Sequence, residues 1–322
     1  MMQIFAYIIN KNGKADDTAL ELALAAKKLD SEAQVTAIVA GSGIDSVCQE
    51  VSAAYNDVWK IDHAALAYPD SEIMGKILPK LLPEKAVLLL AHEYLAMDMA
   101  PGLAIRMNSA YIADVTDIEG LDGSVAKLVR QEFSGMVSTH NTCDLSDGAV
   151  ITIRPGVFAT EETPAVGGSV VDKSGDIVIP ETQRKYLETV EAEVGDVDIS
   201  NSEVLVSVGR GIEEEDNIEI IKELAEAMGV DYSCSRPIVD AKWMEKSRQV
   251  GTSGKTVKPK VYMALGISGA FQHLGGIKGS PFIIAINKNP KAPIFQVADI
   301  GVEGDILEII PELTEKVNEL KG

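Results

Sequence analysis

The residues of this chain whose types and spacing could do chemistry lie in three glycine-bearing segments of its last third. They are Val208-Gly209-Arg210-Gly211, Gln249-Val250-Gly251-Thr252-Ser253-Gly254-Lys255 and Gly266-Ile267-Ser268-Gly269-Ala270-Phe271-Gln272-His273. Apolar runs lead into the first and third, so both fall where a strand gives way to a helix, the place where open α/β sheets bind nucleotides. Glycines there let backbone N–H groups approach a phosphate, while hydroxyls, an amide and an imidazole could meet the polar edge of a ring. The chemistry suggested is that of a dinucleotide site.

The three segments are electrostatically unequal. The first lacks the last glycine of a Gly-x-Gly-x-x-Gly fingerprint, since Glu214 stands in its place. The acidic run Glu213-Glu214-Glu215-Asp216 would satisfy the positive end of a following helix and repel a pyrophosphate. This segment reads as a tight strand-to-helix turn from which Arg210 could reach an anion. The third has no acidic residue through His273, so its backbone N–H groups and the Ser268 hydroxyl could face the pyrophosphate. A serine N-cap followed by small residues for close packing would read the same way. The second is a polar loop whose Thr252 and Ser253 hydroxyls could serve a ligand or only solvent. Ser235 and Arg236, ahead of Pro237, add a hydroxyl and a cation on another loop.

Positioning these loops requires a sheet, and the sequence alternates accordingly. Strand-like runs at Gln3–Asn10, Gln34–Ala40, Val58–Ile61 and Ala86–Ala91 alternate with helical spacing over Asp16–Leu29, Ile44–Ala54, Ser71–Leu82 and Met97–Met107. Short strands at Lys127–Phe133, Val150–Ile153 and Ser169–Val171 then indicate an antiparallel or mixed addition. Between Pro180 and Glu203 apolar periodicity gives way to a charged stretch, which predicts a linker separating domains at 1–190 and 200–322. Beyond it come strands at Val204–Val208, Val261–Leu265, Phe282–Asn287 and Ile294–Val297, a helix carrying Ile218, Ile221, Leu224, Ala225 and Met228 on one face, and a last helix from Asp305 to about Leu320. The expected fold is two α/β domains with mainly parallel sheets, the C-terminal one Rossmann-like.

Composition narrows the function. A length of 322 residues, 46% of them hydrophobic, suffices for two cores. The net charge of −20 argues against nucleic acid and anionic membrane as partners, because both reward basic surfaces. No apolar run approaches the roughly 20 residues that span a bilayer, and Met1–Tyr7 lacks the basic start of a signal peptide. A cytoplasmic location is expected. Cys48, Cys143 and Cys234 form no Cys-x-x-Cys pair, so neither a disulfide framework nor the usual zinc or iron–sulfur cage is indicated, and redox chemistry would need an organic cofactor.

The runs Cys234-Ser235-Arg236-Pro237-Ile238-Val239-Asp240, Gln249 to Lys255, Leu265 to His273, Ala285-Ile286-Asn287-Lys288 and Ala292-Pro293-Ile294-Phe295-Gln296-Val297-Ala298-Asp299 together resemble the FAD domain of the electron transfer flavoprotein α subunit. The similarity is strong over about 203–315 and weaker over 1–185. It departs from the family pattern at Ala96–Gly102, where the family's arginines are missing, and at Thr252 and Val208.

The resemblance implies a heterodimer with an electron transfer flavoprotein β subunit, contacted through the N-terminal domain, and single-electron exchange through FAD with an acyl-CoA or other flavin dehydrogenase. It carries FAD contacts onto Arg210, Ser235, Arg236, Val250, Gly251, Thr252, Ser253, Ser268, Gly269, Ala270, Phe271, Gln272 and His273. Asn287, Asp305 and Ile306 would hold the adenosine end, although Asp305 is equally a good N-cap for the last helix. A bifurcating variant using NADH and ferredoxin is the neighbouring possibility, and a nucleotide-binding module without redox chemistry a more distant one.

Overall fold

The computed structural model describes residues 2–11, 13–133, 135, 137–158, 166–188, 198–278 and 281–321. The chain divides into two units, Met1–Leu187 and Glu188–Gly322. Residues 189–197 of the charged stretch read as a linker lie outside the described residues.

The first unit runs β1 (Ile4–Ile8), β2 (Asn10–Lys11), β3 (Lys14–Ala15), α1 (Thr18–Leu29), β4 (Val35–Gly41), α2 (Asp45–Val51), β5 (Asp57–Asp62), α3 (Ser71–Leu81), β6 (Val87–Ala91), α4 (Tyr94–Met107), β7 (Ala110–Asp122), β8 (Val125–Glu132), β9 (Val137–Asp144), β10 (Ala149–Ile153) and β11 (Ser169–Asp172). Nine of these strands form one sheet in the order β11-β5-β4-β1-β6-β10-β7-β8-β9. Strands β1, β6 and β10 are buried at every residue, as parallel strands covered on both faces must be. Pairing is parallel as far as β7 and antiparallel from β7 through β8 to β9. Helix ends follow local chemistry. The Asp70 carboxylate accepts from the N–H groups of Glu72 and Ile73 to start α3, and Asn108 in the left-handed region stops α4.

The second unit runs β12 (Val204–Val208), α5 (Ile218–Met228), β13 (Asp231–Cys234), α6 (Arg236–Asp240), β14 (Val261–Leu265), α7 (Phe271–Leu274), β15 (Phe282–Asn287), β16 (Ile300–Glu303) and α8 (Ile306–Lys321). Its five strands are all parallel in the order β13-β12-β14-β15-β16. One sheet face packs Val206, Val208, Met263, Leu265 and Ile286 against Ile221 and Leu224 of α5 and Ile306 and Ile310 of α8. The other places Leu205, Tyr262, Ala264 and Ala285 beneath Val250, Val257, Ile267 and Ile294. That second face is covered largely by loops, and the second and third glycine segments supply Val250 and Ile267 to that cover.

Two expectations need correction. Ile294–Val297 is not the fourth strand: Pro293–Gln296 forms a single tight turn, and β16 at Ile300–Glu303 takes the sheet position. Pro293 has no N–H to give a ladder, and the Ile294 N–H is spent on the Ser268 carbonyl at 3.0 Å. The acidic run does not open α5 either. Glu213, at φ +70°, and Glu214 lie between short turns at Arg210–Ile212 and Glu215–Asn217, and the helix starts at Ile218. Strands β7, β9 and β13 fall outside the strand-like runs of the sequence: β9 and β13 are edge strands, and β7 interrupts its apolar residues with Asp114, Asp117 and Glu119.

Candidate functional site

The first glycine segment is shaped by contact with the third. The Gly209 N–H donates to the Leu265 carbonyl at 2.8 Å and the Gly211 N–H to the Gly266 carbonyl at 3.0 Å. A Cβ on Gly209 would lie 2.5 Å from the Gly266 oxygen, so only a glycine permits the approach. The turn leaves Arg210 exposed, with no ion pair among the described residues.

The second segment is bonded to the third as well. The Thr252 N–H donates to the Gln272 carbonyl at 2.7 Å, and a Cβ on Gly251, at φ +143°, would come 2.9 Å from that oxygen. The Val250 N–H donates to the Cys234 carbonyl at 2.9 Å, tying the loop to the end of β13 beside Ser235 and Arg236. Ser235 occupies the N-cap position of α6 and is buried, yet its side chain makes no capping hydrogen bond. Arg236 is exposed and reaches the Asp240 carboxylate at 3.3 Å. Ser253 accepts from the Gln249 amide at 2.9 Å.

In the third segment the fold uses the carbonyl side of the turn and leaves the N–H side open. The Ser268 carbonyl accepts from Ile294, and Gly269, at φ +80°, passes too close to the Ile294 backbone for any side chain. The backbone N–H groups of Ser268, Gly269, Ala270, Phe271 and Gln272 have no hydrogen-bond partner among the described residues. Five successive free donors make an anion-seeking surface from the peptide backbone alone. The helix expected here is only the single turn α7, so the individual N–H groups matter more than a macrodipole. Ser268, Ala270, Phe271 and Gln272 are exposed around these donors.

His273 is the exception in that segment, being buried. Its Nε2 meets the Tyr262 hydroxyl at 2.8 Å, and its Nδ1 has no hydrogen-bond partner. Burial pulls its pKa down to about 4, so the ring is neutral at neutral pH.

At the far side of the site, the Asn287 amide donates to the Ile267 carbonyl at 2.9 Å, supporting the third segment from β15. Asp305 caps α8 by accepting from the Leu307 N–H at 2.9 Å, so the capping role foreseen for it is realised. Its other oxygen meets Lys288 at 2.8 Å, and Lys288 also holds Glu213 at 2.7 Å. The ion pair with Lys288 keeps the Asp305 carboxyl below its ordinary range. Ile306 and Val250 put their side chains into the core, leaving only backbone for a ligand.

The sequence-derived residues thus gather at one end of one sheet, on the loops after β12, β13, β14 and β15 and at the start of α8. Tyr262 and Lys288 were not singled out. Tyr262 looks like core in an apolar strand, and Lys288 is an ordinary surface cation until Glu213 is folded beside it. No described helix is long and apolar enough to cross a membrane.

A parallel sheet whose carboxyl-end loops present unpaired N–H groups, arginines and a buried imidazole has the layout of the α/β proteins that bind nucleotides at the strand ends. Residues 4–178 match the electron transfer flavoprotein domain and residues 198–278 the electron transfer flavoprotein FAD-binding domain, and the chain belongs to the electron transfer flavoprotein family. It is 34% identical to the electron transfer flavoprotein subunit alpha of Thermoanaerobacterium thermosaccharolyticum over 99% of this chain and 98% of that one. Identity to the subunit of the same name from Bacillus subtilis is 30%, over 96% of this chain and 95% of the relative. The LctC subunit of the lactate dehydrogenase (NAD(+),ferredoxin) of Acetobacterium woodii is 31% identical over 96% of this chain and 75% of its own length.

Proposed function

We propose that this chain binds FAD in its second unit and acts as the α subunit of an electron transfer flavoprotein, pairing with a β subunit and passing single electrons between a flavin dehydrogenase and a downstream acceptor. The observation that carries the reading is the row of five unpaired N–H groups from Ser268 to Gln272 beside the unpartnered Nδ1 of His273. A buried nitrogen without a partner costs about 1–3 kcal/mol, which a ligand acceptor would recover. The residues present therefore fit the cofactor.

Bound FAD would supply reversible one-electron chemistry at its ring. The chain's own residues would bind and orient it. The Ser268–Gln272 N–H groups would take the pyrophosphate, with Arg210 as an exposed cation within the same loop cluster. Ser235, Arg236, Thr252, Ser253 and His273 would surround the ring, and Asn287, Asp305 and Ile306 the adenosine end. His273 would act as a neutral hydrogen-bonding group.

The likeness to the lactate dehydrogenase (NAD(+),ferredoxin) subunit, and to the acryloyl-CoA reductase electron transfer subunit beta of Anaerotignum propionicum at 30% identity, supports a second reading as part of a bifurcating complex. Visible spectroscopy of the chain co-expressed with its partner tests the first reading: a flavin spectrum with FAD released on denaturation is expected, and a colourless protein that takes up no FAD refutes it. Flavin counting with an NADH titration separates the two, since one flavin per heterodimer and no reduction by NADH excludes bifurcation.

A further inference from the structure

Beneath the loop roof of the second unit lies a polar group that the FAD reading does not use. Tyr262 projects from β14 into the face otherwise formed by Leu205, Ala264 and Ala285, and it is fully buried. Its hydroxyl meets His273 Nε2 at 2.8 Å, across eleven residues of sequence. Ser207 on β12 and Ser233 on β13, which are register partners, are buried too, and neither hydroxyl closes a hydrogen bond of ordinary geometry with it.

A neutral imidazole has one N–H and one lone pair, and which nitrogen carries the proton follows from the bond the other one makes. A phenol is a better donor than a neutral imidazole N–H, and an imidazole nitrogen is a better acceptor than a phenol oxygen. That ordering favours a Tyr262 O–H donating to Nε2, which would leave the proton on Nδ1. The Val250 carbonyl, close to the ring, also favours a protonated nitrogen but closes no hydrogen bond of ordinary geometry with Nδ1.

We propose that Tyr262 is a positioning residue: by donating to Nε2 it fixes His273 as the Nδ1–H tautomer, so that the imidazole offers an unpaired, buried N–H donor to an acceptor atom of the flavin ring. The proposal rests on the FAD reading for the identity of that acceptor, while the tautomer is a property of the chain itself. An Nε2–H tautomer would present a lone pair to the same acceptor and repel it, so the choice sets whether His273 helps or opposes added charge on the ring.

The test uses the co-expressed complex labelled with ¹⁵N-histidine, with the His273 resonances assigned by their loss in His273→Gln. Long-range ¹H–¹⁵N spectra should show the Nδ1–H pattern at neutral pH, with and without FAD. In Tyr262→Phe the pattern should shift toward Nε2–H or a mixture. FAD should bind in the same ratio, and its first-electron equilibrium should weaken about tenfold, which is about 59 mV for one electron. An Nε2–H pattern in the unmodified protein overturns the proposal, as does a Phe variant that holds FAD with unchanged tautomer and potential. If the unmodified protein shows the Nδ1–H pattern but takes up no FAD, the FAD reading fails and the flavin half of the proposal with it. Should Tyr262→Phe not fold, 3-fluorotyrosine placed at 262 provides a stronger donor of nearly the same size, for which a raised potential is expected and an unchanged or lowered one refutes the role.

Discussion

Gly211 and Gly266 touch backbone to backbone: a Cβ on Gly211 would lie 2.7 Å from the Gly266 Cα, and one on Gly266 would lie 2.8 Å from the Gly211 Cα. Two glycines remote in sequence thus set the spacing between the Arg210 turn and the segment with the free N–H groups. Gly266 also needs φ +62°, which a side chain resists. Gly266→Ala should destabilise the chain by about 2–3 kcal/mol, from the strained φ and the overpacking together. Gly211→Ala should cost about as much through overpacking alone. Urea unfolding measures both, and a cost for Gly266→Ala below about 0.5 kcal/mol would contradict the contact.

His273 predicts a pH dependence with a definite sign. Its pKa is about 4 in the fold against 6.5 for the free side chain, with burial as the cause. As pH falls below 6.5 the unfolded chain takes up the proton first, so the folded state loses stability progressively until pH 4. The loss amounts to about 3 kcal/mol, and above 6.5 neither state is charged. His273→Gln should flatten this part of the curve. Urea midpoints of both proteins between about pH 7 and pH 4.5 decide it, and parallel curves would refute the buried neutral imidazole.

Lys288 joins Glu213 and Asp305, and both carboxylates raise its pKa. Replacing it with methionine leaves two carboxylates without their shared cation at the adenosine end of the proposed site. Because Lys288 and Glu213 are exposed and Asp305 is only half-buried, folding stability should stay nearly unchanged while FAD affinity falls several-fold. Equilibrium FAD titration of the complex checks this, with an unaltered dissociation constant as the contrary result.

Arg210 has no internal ion pair among the described residues, so its charge is free for an anion. Arg210→Ala should leave the unfolding free energy within about 0.5 kcal/mol of the original while weakening FAD binding roughly tenfold, most visibly at low salt. Equal FAD affinity for the two proteins across a salt series would remove Arg210 from the site.

The sequence by itself determined the elements whose pattern is local. Apolar runs such as Ala86–Ala91 and Val261–Leu265 announce buried parallel strands because both of their faces must leave water. The glycine segments, and the polar residues standing in them, were legible for the same reason: side-chain types and spacing carry that information. Strands β9 and β16 were not legible, since Val137–Asp144 is polar and Ile300–Glu303 short and exposed, and each is a strand only because a neighbour offers a ladder. Ile294–Val297 shows the converse, an apolar run kept out of the sheet by Pro293 and by the Ser268 carbonyl.

Tertiary structure alone decided the relations between residues far apart in the chain. It set Gly211 against Gly266, placed Lys288 between Glu213 and Asp305, and brought the Tyr262 hydroxyl to His273. The physical reason is that protonation state, tautomer and steric fit depend on neighbours within a few ångströms, and a chain acquires those neighbours only by folding.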